Sequence, residues 1–124
     1  MEKTFAHEEY LSSFLELMDR AQRLAQNELT DQQNIKVLGE GWVGDEALAI
    51  SLYCALRHEG NLEETLVAAV NHDGDSDSTG AIAGNLCGAL IGEERIPAWM
   101  LKDLELSDVV LTTADAMFAE IFSE

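Results

Sequence analysis

The chain has 124 residues, 47% of them hydrophobic, enough for one domain with a modest core. Its 7 Lys and Arg against 24 Asp and Glu give a formal charge of −17, a surface ill-suited to a nucleic-acid backbone, which is held largely by Lys and Arg on phosphates. No run reaches the roughly 20 apolar residues of a membrane span; the longest, around residues 79–92, is broken by Asn85.

Met1 to His7 contain no basic region followed by an apolar stretch, so no signal peptide is expected. Leu11, Phe14, Leu15, Met18, Ala21 and Ala25 recur at three- and four-residue spacing and predict an amphipathic helix over about 7–26. Thr30-Asp31-Gln32-Gln33 has capping-box form and starts a short helix that stops near Gly39. From Ala47 to Leu56 only Ser51 is polar, which predicts a central helix buried all round. Gly60 fits its stop, and Asn61 with Glu64 restarts a helix through about Asn71.

A further helix is expected from about Ser78 to Ile91, closed by Gly92. Its Gly80, Gly84 and Gly88 form one stripe, which predicts that another backbone approaches closely there. Pro97 suits the first turn of a short helix, and Val110, Ala114, Met117, Phe118 and Ile121 define the face of the last. No segment alternates in polarity as a strand does, so the expected fold class is all-α. Cys54 and Cys87 fall in apolar helical surroundings and read as buried, reduced thiols, which together with the missing signal peptide points to the cytoplasm.

Chemistry concentrates in Asn71-His72-Asp73-Gly74-Asp75-Ser76-Asp77-Ser78-Thr79-Gly80. Asp75 and Asp77 held a few Å apart repel by about 4 kcal/mol at an effective dielectric near 20. The basic residues nearest in sequence are Arg57 and Arg95. A hard divalent cation such as Mg²⁺ or Mn²⁺, which takes carboxylate, hydroxyl and water oxygens, relieves that repulsion. The alternative is a solvated acidic turn that caps the next helix. His72 reads as a helix-end cap rather than a ligand.

Two other motifs fail on their residues. Gly39-Glu40-Gly41-Trp42-Val43-Gly44 fits G-x-G-x-x-G after Ile35–Leu38, but Glu40 sets a negative charge beside a pyrophosphate and Trp42 crowds the turn. Asp73, Asp75 and Asp77 imitate an EF-hand loop, yet its sixth and twelfth positions hold Ser78 and Gly84 in place of Gly and Glu.

The segment Gly74-Asp75-Ser76-Asp77-Ser78-Thr79-Gly80-Ala81-Ile82-Ala83-Gly84-Asn85-Leu86-Cys87-Gly88-Ala89 resembles the C-terminal signature of the ADP-ribosylglycohydrolase family. Gly39-Glu40-Gly41-Trp42-Val43-Gly44-Asp45-Glu46-Ala47-Leu48-Ala49 resembles the family block that precedes it. The resemblance implies an orthogonal all-α multi-helix bundle, of which residues 1–124 are the C-terminal portion. It implies hydrolysis of the glycosidic bond joining ADP-ribose to a protein side chain or a small acceptor, with two Mg²⁺ or Mn²⁺ ions in the complete site. Asp75, Asp77 and Ser78 would ligate metal, and Gly41 and Trp42 would lie on the substrate side. The Ser-containing motif is closer to the arginine-directed branch.

The family's other metal motif, an Asp-Asp-Thr triplet near its N-terminus, has no counterpart here, since the sequence holds no adjacent Asp pair. The chain is therefore expected to carry half a metal site and no catalytic acid or base. Its expected partners are an ADP-ribosylated protein or small conjugate, and either a second copy or a complementing N-terminal chain. Lens crystallins belong to the same family, so a non-catalytic structural or interaction role is the alternative.

Overall fold

A computed structural model describes the backbone of residues 2–122 and the side chains of residues 8–122. Its regular structure over those residues is entirely helical: α1 Glu2–Leu24, α2 Asp31–Leu38, α3 Gly44–Arg57, α4 Leu62–Val70, α5 Ser76–Ile91, α6 Ala98–Lys102 and α7 Ser107–Phe122. The chain divides into two compact units, one up to Glu93 and one from Glu94 onward.

The first unit is built around α3, against which α1, α2, α4 and α5 all pack. That follows from its composition, because a helix apolar on every side is stable only when surrounded. Ala49, Ile50, Tyr53 and Cys54 of α3 meet Ala21 of α1, Ile35 and Leu38 of α2, and small residues of α4 and α5 such as Ala69 and Ala83. Cys54 and Cys87 are buried and free, as expected. Burial, aided by the Asp31 charge, pushes the Cys54 thiol up to about 12, so it stays protonated and inert.

Local signals set the helix ends. Thr30 and Gln33 close the predicted capping box on α2, and Gly39 ends that helix. The Asn61 side chain accepts the Glu64 N–H at the start of α4, and Gly92 ends α5. α5 begins at Ser76, two residues ahead of the expected start, so the Asp77-Ser78 pair lies inside its first turn.

The glycine stripe of α5 differs from expectation. A Cβ on Gly80 would meet Val70 Cγ1 at 2.7 Å, one on Gly84 would make ordinary contact with Leu66 Cδ2 at 3.5 Å, and one on Gly88 would meet nothing within 4 Å. Side chains of α4, not a neighbouring backbone, cover Gly80 and Gly84, Gly88 is open, and only the first position is tight. Gly88→Ala should therefore gain up to about 1 kcal/mol from helix propensity, whereas Gly80→Ala should gain nothing. Urea melts of both variants check this; equal gains would mean that α4 does not press on Gly80.

In the second unit Pro97 precedes α6 and α7 follows Leu106, whose φ of +57° is unusual for a non-glycine residue. The predicted apolar stripe of the last helix is present on α7, where the Phe118 and Phe122 rings lie 4.5 Å apart. Its large side chains, among them Met117, Phe118 and Ile121, are exposed. Among the described residues no helix is long and apolar enough to cross a membrane.

Candidate functional site

The two motif blocks meet in space. α2 delivers the chain into Gly39–Val43 and α4 delivers it into Asn71–Asp75, and the loops are joined by a 2.7 Å hydrogen bond from the Asp75 N–H to the Glu40 carbonyl. Gly74 makes this approach possible, because a Cβ there would fall on the Glu40 carbonyl group. Gly41 is buried with φ +84°, a conformation that side-chain-bearing residues rarely adopt. The Glu46 carboxylate, in the first turn of α3, accepts the N–H groups of Glu40 at 3.0 Å and Gly41 at 3.3 Å, so the loop is pinned from both sides.

Asp75 occupies the N-cap position of α5, and Asp77 and Ser78 lie in the first turn that follows. Hydrogen bonding with Asp77 holds the Asp75 carboxyl below its ordinary pKa, and the Ser78 hydroxyl, the Ser78 N–H and the nearby His72 act in the same direction against desolvation. Asp75 is thus ionised at neutral pH, and the helix N-terminus favours its charge. The donors are hard oxygens of the type that Mg²⁺ or Mn²⁺ selects, but they cover only part of an octahedral shell. Among the described residues no three His, Cys, Asp or Glu side chains converge as a metal-holding group. The chemistry of these oxygens suits a divalent cation.

Trp42 follows the buried Gly41 and is 66% exposed, its indole N–H donating to Glu40 Oε2 at 3.1 Å. It is therefore not a core residue, and its indole is tethered at the surface to the Glu40 side chain. The G-x-G-x-x-G pattern has no strand before it, since Ile35–Leu38 closes helix α2. This removes the framework a dinucleotide fold requires.

His72 is a fastener rather than a ligand. Its Nδ1 accepts the Gly74 N–H at 3.1 Å, which leaves Nε2 protonated to face Thr79 Oγ1 at 2.8 Å, and the Thr79 hydroxyl donates to the Ala69 carbonyl at 2.6 Å. Both ring nitrogens are engaged. Glu46, His72 and Gly74 thus build the site without having been singled out for that role in the sequence. The signals in the sequence were Gly74 as the residue that opens the signature motif, Glu46 as part of the block before it, and His72 as a helix-end cap.

These features define an all-α bundle that presents two carboxylates and a hydroxyl at one helix N-terminus, braced by a second loop with an exposed indole. The sequence matches the ADP-ribosylglycohydrolase family over residues 1–124, and the chain belongs to that family. It is 28% identical over 108 residues to ADP-ribosylhydrolase ARH3 of Bos taurus, covering 77% of this chain and 30% of that protein. The human ARH3 is 25% identical over 116 residues, 83% of this chain and 30% of the relative. ADP-ribosyl-[dinitrogen reductase] glycohydrolase of Rhodospirillum rubrum is 41% identical over 56 residues, 44% of this chain and 19% of the relative. The chain thus spans less than a third of the length of these relatives. No solved structure matches it.

Proposed function

We propose that this chain carries one half of a two-metal ADP-ribosylglycohydrolase site, as the C-terminal portion of the orthogonal family bundle, working in the cytoplasm. The reaction is hydrolysis of the bond between ADP-ribose and a protein side chain, arginine by preference, or a small acceptor. The observation that supports this most is the contact of the two motif loops through the 2.7 Å bond from the Asp75 N–H to the Glu40 carbonyl. Asp75, Asp77 and Ser78 would hold the metal, and the exposed face of Trp42 would stack on an adenine or a nicotinamide-side group. When bound, the ions supply electrostatic stabilisation and a positioned water. The remaining ligands and the catalytic acid or base come from a complementing N-terminal portion.

The purified chain should not release ADP-ribose from ADP-ribosyl-arginine, because a cluster acts only when ions and substrate are held within a fraction of an Å. Adding or fusing the N-terminal portion of a family member should yield Mg²⁺- or Mn²⁺-dependent release that Asp77→Ala abolishes. Robust turnover by the chain alone would overturn the half-site reading. No turnover after reconstitution would favour the second reading, a structural or interaction protein. That reading is supported by the lack, among the described residues, of any three His, Cys, Asp or Glu side chains grouped to hold a metal.

A further inference from the structure

Two cavities open on the same side of the first unit. One, of about 610 Å³, is bounded by Asp31, His58, Asn61, Glu63 and Glu64, with Val67 and Ala68 between them. The other, of about 530 Å³, is bounded by Ile35, Lys36 and Glu40 on one side and by Asn71, Asp73 and Gly74 on the other. They share Gln32 and Asn71, and so form successive stretches of one groove.

Its walls are helix faces. α2 contributes positions 31, 32, 35 and 36, and α4 contributes 63, 64, 67, 68 and 70 with Asn71 just past its end, the spacing of a single helical stripe. Both helices start at the His58 end and finish at the Gly74 end. Helices of 8 and 9 residues, at 1.5 Å per residue, make walls about 12 Å long. An extended chain covers that distance in about four residues.

The charge distribution selects the occupant. Glu63 and Glu64 stand exposed at one end, Glu64 facing His58 Nδ1 at 3.4 Å, with Glu40 and Asp73 at the other, and Lys36 is the one Lys or Arg among the lining residues. Val67, Ala68 and Ile35 make the stretch between them apolar. An uncharged helix laid there would desolvate carboxylates without pairing them. A second copy of this chain, with 24 Asp and Glu against 7 Lys and Arg, carries the wrong charge. Basic side chains match on both counts, pairing at the ends while their aliphatic stems cover the floor.

We infer that the groove between α2 and α4 seats a short basic stretch of polypeptide. Given the reading proposed above, this is the acceptor chain flanking the modified side chain, which lies at the Asp75 end. A basic residue about four positions away then reaches Glu63 and Glu64.

The test is fluorescence anisotropy of the whole chain with a labelled alanine peptide carrying two arginines about four residues apart. Saturable, salt-sensitive binding is expected, stronger than for the same peptide with adjacent arginines. Glu63→Lys with Glu64→Lys should weaken it about tenfold, and the gentler Glu63→Gln with Glu64→Gln about threefold. Glu9→Lys with Glu16→Lys, the same charge change on exposed positions of α1, should leave it within about twofold.

Equal weakening by the α1 and α4 reversals would reduce the effect to the general acidity of the surface and overturn the inference. So would tighter binding of an uncharged apolar peptide, or no binding by protein whose helical content is intact. The assay contains no ADP-ribose, so spacing-dependent binding without hydrolysis in the reconstituted form counts against the site reading alone. Turnover of free ADP-ribosyl-arginine without peptide binding counts against the groove alone.

Discussion

Gly74→Ala should destabilise the chain by about 1–3 kcal/mol, the usual range for forcing a methyl into a filled site. The new Cβ would coincide with the Glu40 carbonyl group, which is backbone and cannot swing away as a long side chain does. The loops must separate, and the 2.7 Å bond from the Asp75 N–H to Glu40 goes with them. Because Asp75 is the N-cap of α5, the same change should weaken Mn²⁺ binding in calorimetry at whatever affinity the intact loop shows. Gly44→Ala is the control, since nothing lies within 4 Å of a Cβ there. Denaturant midpoints for both variants decide the matter. If Gly74→Ala matches the parent protein, the two motif loops are not packed together.

What could be read from the sequence was local in origin. Thr30 with Gln33 and Asn61 with Glu64 announce helix starts because cap and partner lie three residues apart, and both are found as caps. The apolar run of α3 identified the central helix because close packing on most sides leaves no polar stripe, although Leu56 near its end is 41% exposed. The early start of α5 was less visible, because Ser76 and Asp77 serve equally well in a cap, a loop or a first helical turn.

Long-range partners left no such trace. Nothing adjacent in sequence says that Gly74 faces Glu40, or that His72 spans Gly74 and Thr79. The glycine stripe of α5 misled for the same reason: glycine spacing reports room on a helix face, but whether a backbone or a Val70 side chain fills it depends on α4. The exposure of Trp42 also needed the fold, since an indole in a glycine-rich loop suits core and surface alike.

Asp31→Asn should lower stability at pH 7 by about 1–3 kcal/mol, the range for removing a charged hydrogen-bond partner. Asp31 opens α2 and joins three elements. Tyr53, whose side chain is buried in α3, donates to Oδ1 at 2.6 Å, and His58, after the end of α3, approaches Oδ2 at 2.8 Å. Glu64 of α4 faces the other ring nitrogen of His58 at 3.4 Å. Arg57 stands 3.9 Å from Oδ1 while its guanidinium donates to the carbonyls of Leu24, Asn27 and Leu29, tying the end of α1 into the same knot. Burial opposes the Asp31 charge, but the hydrogen bonds from Tyr53 and His58 and the nearby charges of His58 and Arg57 outweigh it, so the carboxyl titrates below its ordinary value.

The sign of the pH effect follows. A carboxyl whose folded pKa is depressed contributes its stability above the unfolded value of about 3.9, and loses it as pH falls through the folded pKa. The difference between the parent protein and Asp31→Asn should therefore shrink as pH falls below about 4. Taking the difference cancels the relief of charge repulsion that acid brings to any chain carrying −17. Urea unfolding of both proteins as pH is lowered is the measurement. A difference that persists unchanged at pH 3 would show that Asp31 acts through shape and hydrogen bonding alone, with its charge contributing nothing to the junction of α2, α3 and α4.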